Sequence, residues 1–208
     1  MSSEAPARAF VIAVAGPPGA GKSTLCQALA ARLPAAGVLS MDSYQRMTEW
    51  PIEAVQRWAD AGADHELLPM PLLADHLAQL QQGRPVVDPV SGQILGPWRH
   101  VVFETHLGRA HLGTGPMIDW LVWLDTSPDI ALARNVRGYL RPCLQPGVAG
   151  LVGELHWIDA YLANYARLVG GLVAVQAARV RPGADQAVRG DLSPTEAAQA
   201  VLVALAAR

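Results

Sequence analysis

Disulfide chemistry is the first thing this sequence lacks: Cys26 and Cys143 are the only cysteines in 208 residues, too few for a cross-linked framework. It also lacks any apolar run of the roughly 20 residues that a bilayer-crossing helix needs. It lacks an excess of charge of either sign, with a formal net charge of −2, so no basic surface marks it for nucleic acid. The stretch Met1 to Ala9 is small and polar, is expected to be disordered, and has no apolar core of a secretory signal. Internal repeats and low-complexity linkers are absent as well. These absences leave a cytoplasmic globular protein with residues 1–208 forming one domain and with no nucleic-acid or membrane partner. An apolar share of 51% and a mean hydropathy of +0.19 suit such a chain.

What is present is an alternation of apolar strands with amphipathic helices. Phe10 to Ala15, Gly37 to Ser40, His100 to Glu104, Trp120 to Leu124 and Asp185 to Arg189 read as strands. Thr24 to Arg32, Ile52 to Ala61, Pro71 to Gln82, Ser127 to Arg137, Gly153 to Val169 and Ser193 onward read as helices. The last opens with Ser193, Pro194 and Glu196, an N-cap, a Pro at the first helical position and a capping-box partner. The alternation predicts a three-layer α/β/α sandwich around a parallel five-stranded sheet. Gly108 to Pro116 and Leu140 to Gly153 read as mobile, and residues 129–153 as a helical lid. Cys26 reads as a buried structural thiol, and Cys143 as a thiol within the second of these mobile segments.

Gly16-Pro17-Pro18-Gly19-Ala20-Gly21-Lys22-Ser23 matches the phosphate-binding pattern G-x-x-x-x-G-K-[ST] without a mismatch. The glycines let successive backbone N–H groups converge on phosphate oxygens, and the following helix adds the positive end of its dipole. The pattern assigns Lys22 to the β/γ-phosphates and Ser23 to Mg²⁺, and Thr24 follows within reach of the α-phosphate. The context is the required one, with a continuous apolar strand before the loop and a helix after it.

In a parallel sheet of this type, ligands sit beyond the carboxyl ends of the strands. That singles out Asp42 after the second strand, Glu104 and His106 after the third, and Asp125 after the fourth. Glu104 serves either Mg²⁺, through water, or an acceptor molecule. His106 lies on the same edge, as an acceptor contact or a structural histidine. Asp125 reads as a turn residue. Arg134 and Arg137 share a helix face, with Arg141 four residues on, and at least one of Arg134 and Arg137 is expected to close over a transferring phosphoryl group. Arg99, Arg109 and His111 are weaker candidates for the same mouth, and Trp50 and Trp98 for stacking on a planar ligand.

Several segments in order resemble the uridine kinase and phosphoribulokinase-like group of P-loop kinases. They are Asp42-Ser43-Tyr44, the helix ending at Gly83 with Pro85-Val86-Val87-Asp88 after it, Val101 to Glu104, the arginine-bearing helix Asp129 to Arg137, and Ala184-Asp185 through Gly190 to Ser193. The resemblance implies that Asp42 accepts or orients the proton of an acceptor hydroxyl, that Asp88 holds acceptor hydroxyls, and that Ala184 and Asp185 lie beside the adenine. Tyr44 either contacts the acceptor or packs in the core. The departures are Val87 where the group has Tyr, Thr105 where it has Gly, and Ser91 to Gly96 in place of an aromatic-and-His stretch. All of them lie on the acceptor side.

These residues predict a phosphotransferase that uses ATP and Mg²⁺ to phosphorylate a hydroxyl of a small molecule, such as a nucleoside, a sugar or a pantothenate-like acid. The alternative is a P-loop ATPase or nucleotide-dependent switch without a small-molecule acceptor. Oligomeric state is not fixed by the sequence, and a homodimer is compatible with it.

Overall fold

Alternate residues of each central strand feed two separate cores, and this accounts for the layered architecture. The computed structural model describes residues 8–46, 50–62, 70–144 and 151–208. Within them run β1 (Phe10–Ala15), α1 (Lys22–Ala30), β2 (Ala36–Ser40), α2 (Ile52–Asp60), α3 (Pro71–Gln81), β3 (Val86–Val87), β4 (Ile94–Leu95) and β5 (His100–Glu104). They are followed by β6 (Trp120–Asp125), α4 (Pro128–Cys143), α5 (Leu151–Asn164), α6 (Gly170–Val180), β7 (Gln186–Arg189) and α7 (Pro194–Ala206).

The main sheet has five strands in the order β2-β5-β1-β6-β7, and every pairing is parallel. Val11, Ala13 and Ala15 of β1, with Val101 and Phe103 of β5, pack with Leu73, Leu77 and Leu80 of α3 and with Val180 of α6. Ile12 and Val14, with Val102 of β5, pack on the other face with Leu25 and Leu29 of α1 and with Ala197, Ala198 and Val201 of α7. Strands buried on both faces must be apolar at every position, which is why they read as continuous runs. Among the described residues no helix is long and apolar enough to cross a membrane.

Register sets up the site. Glu104 pairs with Val14 on one side and with Ser40 on the other, so the carboxyl ends of β1, β2 and β5 lie level. Because Phe103 faces the α3 core, Glu104 faces α1, the helix that opens with Lys22 and Ser23. The expected capping box of α7 is formed: Ser193 Oγ accepts from Glu196 N–H, and Glu196 Oε2 accepts from Ser193 N–H at 2.9 Å.

Several sequence expectations need correction. Arg8 and Ala9, placed with the disordered start, are built into the fold: Ala9 is buried and donates to Gln81 O at 2.8 Å, and Arg8 pairs with Asp119. The stretch after Val86 forms an antiparallel hairpin, β3–β4, that strand-length patterning is too short to show. Gly108 to Pro116 is a pair of short 3₁₀ turns, pinned where Thr105 Oγ1 accepts from the N–H groups of Leu107 and Gly108. Leu140 to Cys143 continues α4 instead of opening a loop, with the Cys143 thiol facing the Tyr139 carbonyl, while residues 145–150 of the expected mobile segment lie outside the described residues.

The helix expected to stop at Val169 runs on to Val180, with wider i→i+5 bonding over Tyr165–Val169. Gly170 and Gly171 read as a break, but burial of Leu168, Val173 and Val180 outweighs their cost of about 1 kcal/mol each. Trp98 does not face a ligand. It covers Gly37, where an added Cβ would lie 2.1 Å from the indole.

Ala184 and Asp185 sit at the amino end of β7, away from the phosphate loop. Asp185 Oδ2 accepts from Leu121 N–H and from Arg109, both at 2.7 Å. Partial burial works against this carboxylate, but the bonds from Arg109 and Leu121 hold its pKa below the ordinary value. A depressed folded-state pKa contributes stability that is complete above about pH 4 and lost as pH falls through the folded value. Asp185→Asn should therefore lower stability in urea titrations at neutral pH by about 1 kcal/mol, discounted for its partial exposure. The gap to the parent protein should narrow as pH falls below about 4. A gap that does not narrow with acidification would contradict this assignment.

Candidate functional site

The phosphate loop joins the end of β1 to the start of α1, and helix α4 presses on it. Gly19 has φ +79°, and a Cβ there would lie 2.0 Å from the Ala131 carbonyl oxygen, so only glycine fits between the loop and α4. Pro17 and Ala20 are buried, while Pro18 is partly exposed and Thr24 exposed. Thr126, after β6, donates to Ala20 O at 3.2 Å and packs on Gly190, where a Cβ would lie 1.8 Å from Thr126 Oγ1. The loop is thus braced on both flanks.

Lys22 is 5% exposed, and its Nζ donates back to Pro17 O at 3.1 Å. Burial pushes its pKa down, while the charges of Glu104 and Asp42 push it back up in part. Ser23 Oγ donates to Glu104 Oε1 at 2.7 Å, and Ser40 Oγ donates to Glu104 Oε2 at 3.3 Å. Glu104 therefore gathers α1 and β2 around one buried carboxylate. Ser23 Oγ and Glu104 form an all-oxygen donor set, the kind that Mg²⁺ shares with phosphate and water. Burial pushes the neighbouring Cys26 thiol well above its ordinary pKa, so this cysteine is inert core.

Asp42 stands one turn beyond β2, with its side chain 55% exposed. Its Oδ1 lies 3.0 Å from His106 Nε2. A carboxylate only accepts, so Nε2–H is the donor. The hydrogen bond from His106 holds the Asp42 carboxyl below its ordinary pKa against partial burial, helped by the charge of Lys22. Asp42 is thus an ionised, open carboxylate within electrostatic reach of the phosphate-loop lysine.

The remaining acceptor-side candidates are each held by neighbouring residues. Tyr44 OH lies 2.8 Å from His76 Nδ1, and burial together with the Asp88 charge pushes the phenol up to about 12, so it donates. Asp88 Oδ1 accepts from Val90 N–H at 3.0 Å, Ser91 N–H at 2.7 Å and Ser91 Oγ at 3.0 Å, which makes it the turn residue of the β3–β4 hairpin. Burial opposes its ionisation, but these bonds and one from Ser43 prevail.

The arginines of α4 separate by role. Arg134 donates to Gly190 O at 2.8 Å and so ties α4 to the loop after β7. Arg137 is exposed and has no hydrogen bond or ion pair among the described residues. Arg109 is engaged at the amino end of the sheet with Gly183 O and Asp185, and His111 is buried against Thr114 Oγ1 at 2.8 Å, so neither reaches the mouth. Asp125 pairs with Arg181 at 2.9 Å. Between Asp125, Thr126, Ser127, Ile130 and Arg189–Asp191 lies an open cleft of about 240 Å³, on the far side of the loop from Asp42.

Two features escaped the sequence reading. The β7-end loop Gly190–Asp191 borders the cleft, where Ala184 and Asp185 were expected. The other is Gln176 of α6, a buried amide bonded to both Gly16 O and His106 O, which no local pattern announces.

Lys22 is the only lysine in the chain, which makes its burial directly measurable. An amine-reactive ester should modify the native protein at its terminal amine and reach Lys22 only after urea unfolds it. Modification of both amines at comparable rates in the native protein would contradict the buried, loop-bonded geometry.

A family model described as an AAA domain matches residues 12–139, from β1 through most of α4 and including the whole phosphate loop. No curated protein sequence matches the chain. Among solved structures the chain is similar to a shikimate kinase from Acinetobacter baumannii in complex with shikimate, at 16% identity over 96% of this chain and 94% of that one, with a TM-score of 0.45. It is also similar to a shikimate kinase from Bacteroides thetaiotaomicron (16% identity, 95% and 98% coverage, TM-score 0.48) and to a gluconokinase from Sinorhizobium meliloti (14% identity, 95% and 91% coverage, TM-score 0.46). With well over half of its length matched by the family model, the chain belongs to the AAA domain family.

Proposed function

We propose that this protein is an ATP-dependent phosphotransferase that phosphorylates a hydroxyl group of a small molecule. The observation that carries this reading is Asp42, an ionised and open carboxylate oriented by His106 and placed electrostatically close to Lys22. A kinase needs such a group to accept, or to orient, the proton of its acceptor.

The triphosphate lies along Gly16–Thr24, with Lys22 released from Pro17 O to meet the β/γ-phosphates. Ser23 and Glu104 would hold Mg²⁺, which would supply charge neutralisation at the phosphates. The base lies in the cleft beside Ser127, Ile130 and Gly190–Asp191, where Arg134 fixes one wall. The acceptor lies over Asp42 and His106, with Tyr44 and Asp88 shaping the wall behind them. Helices α4 and α5 form the lid, and Arg137, without a hydrogen bond or ion pair among the described residues, stabilises the charge that develops on the transferring group. Catalysis on this account is positioning and electrostatics.

The finer assignment, to the uridine kinase and phosphoribulokinase-like group, is supported by the order of Asp42-Ser43-Tyr44, the α3–β3 segment and the β5 glutamate. The acceptor class within it is open to a nucleoside, a sugar or a pantothenate-like acid. A cytoplasmic location accords with the use of ATP.

A screen of nucleosides, sugars and vitamin-precursor alcohols should find at least one compound that raises ADP release from MgATP. With that acceptor, Lys22→Ala should abolish turnover. Asp42→Asn should lower kcat on the order of 10²-fold or more while a nonhydrolysable ATP analogue still binds. Near-normal turnover in Asp42→Asn would remove Asp42 from this role. The two lid arginines should separate, with Arg137→Ala lowering kcat about 10²-fold and Arg134→Ala raising the KM for ATP instead. Equal effects of both on kcat would contradict the division of labour.

A further inference from the structure

The last bond of the β1–β5 ladder runs from Thr105 N–H to Val14 O at 3.1 Å. Beyond it the two chains part, β1 into the phosphate loop and β5 towards His106. The carbonyls of Gly16 and His106 lie just past this point, where the ladder supplies no donor. Gln176 of α6 supplies it, with Nε2 donating to Gly16 O at 3.3 Å and to His106 O at 2.5 Å. Its residue is 7% exposed, so water is poorly placed to replace the donor if it is lost. One amide nitrogen thus bridges the first residue of the nucleotide loop and the residue whose ring holds Asp42.

The helix that carries Gln176 is continuous with α5 through Tyr165–Val169, where the helical bonding widens. Such π segments recur at functional sites. Helix α5 is in turn fastened to α4. Asn135 Nδ2 donates to Tyr161 OH at 2.7 Å, Tyr161 stacks on Trp157 at 5.5 Å, and Trp157 meets Tyr139 of α4 edge-on at 4.4 Å. Asn135 also flanks Gly19 of the phosphate loop. A chain of contacts therefore leads from the loop through α4, α5 and α6 back to the carbonyl of His106.

We propose that Gln176 is a positioning residue that couples the nucleotide loop and the α4–α5 helices to the His106–Asp42 pair. In functional terms the proposal rests on the reading of Asp42 as the acceptor-facing carboxylate. The side chain has to reach and donate twice. Leu fills the space without donating, and an ionised Glu sets a negative charge against two carbonyl oxygens.

The test is NMR of the full-length protein labelled in its histidine rings, with the His106 signal assigned by its loss in His106→Gln. In the parent protein, Mg²⁺ with a nonhydrolysable ATP analogue should shift the His106 ring signal. In Gln176→Leu the analogue should bind within about threefold of the parent, yet the His106 signal should no longer respond; with an acceptor in hand, kcat should fall about tenfold or more at a nearly constant KM for ATP. Gln176→Glu should behave in the same way near neutral pH, and it carries the test should the Leu variant not fold. A His106 signal that ignores the nucleotide in the parent protein, or responds equally in the variants, overturns the coupling, as does loss of analogue binding in both variants. Because the ring response requires no acceptor, failure to find any acceptor would sink the phosphotransferase reading and leave the coupling standing.

Discussion

The carboxylate of Glu104, buried at the carboxyl edge of the sheet and shared between the hydroxyls of Ser23 and Ser40, is the interaction on which the site depends. It draws the first turn of α1 and the last residue of β2 onto the end of β5. A buried carboxylate is costly unless it is hydrogen-bonded and charge-compensated. The two hydroxyls meet the first need and the buried Lys22 the second. The register that sets Ser40, Val14 and Glu104 side by side makes this cluster possible, and that register follows from strands whose alternate residues must serve two different cores.

From this centre the site divides in two. Towards β6 and β7 lie the braced loop, the Thr126–Gly190 contact and the cleft that Arg134 walls. Towards β2 and the hairpin lie Asp42, His106, Tyr44 and Asp88, each held by a side-chain partner. Lys22 is bonded to Pro17 O and Ser23 to Glu104, so bound nucleotide would exchange these internal bonds for its own phosphates and cation. The proposed phosphoryl transfer requires both halves to be organised at once. The buried amide of Gln176 bonds to backbone from both.

Much of this was legible in the sequence because it rests on local rules. The phosphate loop, the apolar strands, the Ser193 capping box and the candidates at strand ends all follow from spacing and residue type. The rest depends on tertiary context. Gly170-Gly171 reads as a helix stop, yet the chain stays helical because its neighbours bury Leu168 and Val173. Asp185 reads as part of a nucleotide-side segment, but strand register places it at the opposite end of β7. Arg134 and Arg137 look equivalent on a helix face, and only the Gly190 carbonyl separates them. Asp88 looks like a ligand-binding carboxylate in a one-dimensional pattern, while in three dimensions one of its oxygens closes a turn. Gln176 lies 160 residues from Gly16 and 70 from His106, beyond the reach of any local signal.

The central claim is that the γ-phosphoryl group goes to an organic hydroxyl and not to water. Phosphorus NMR of the protein with MgATP and a pooled set of hydroxyl compounds tests this in one spectrum. The account predicts a new phosphomonoester resonance that grows in step with ADP and is absent with Lys22→Ala. Growth of inorganic phosphate alone, at a rate indifferent to the pool, would contradict it.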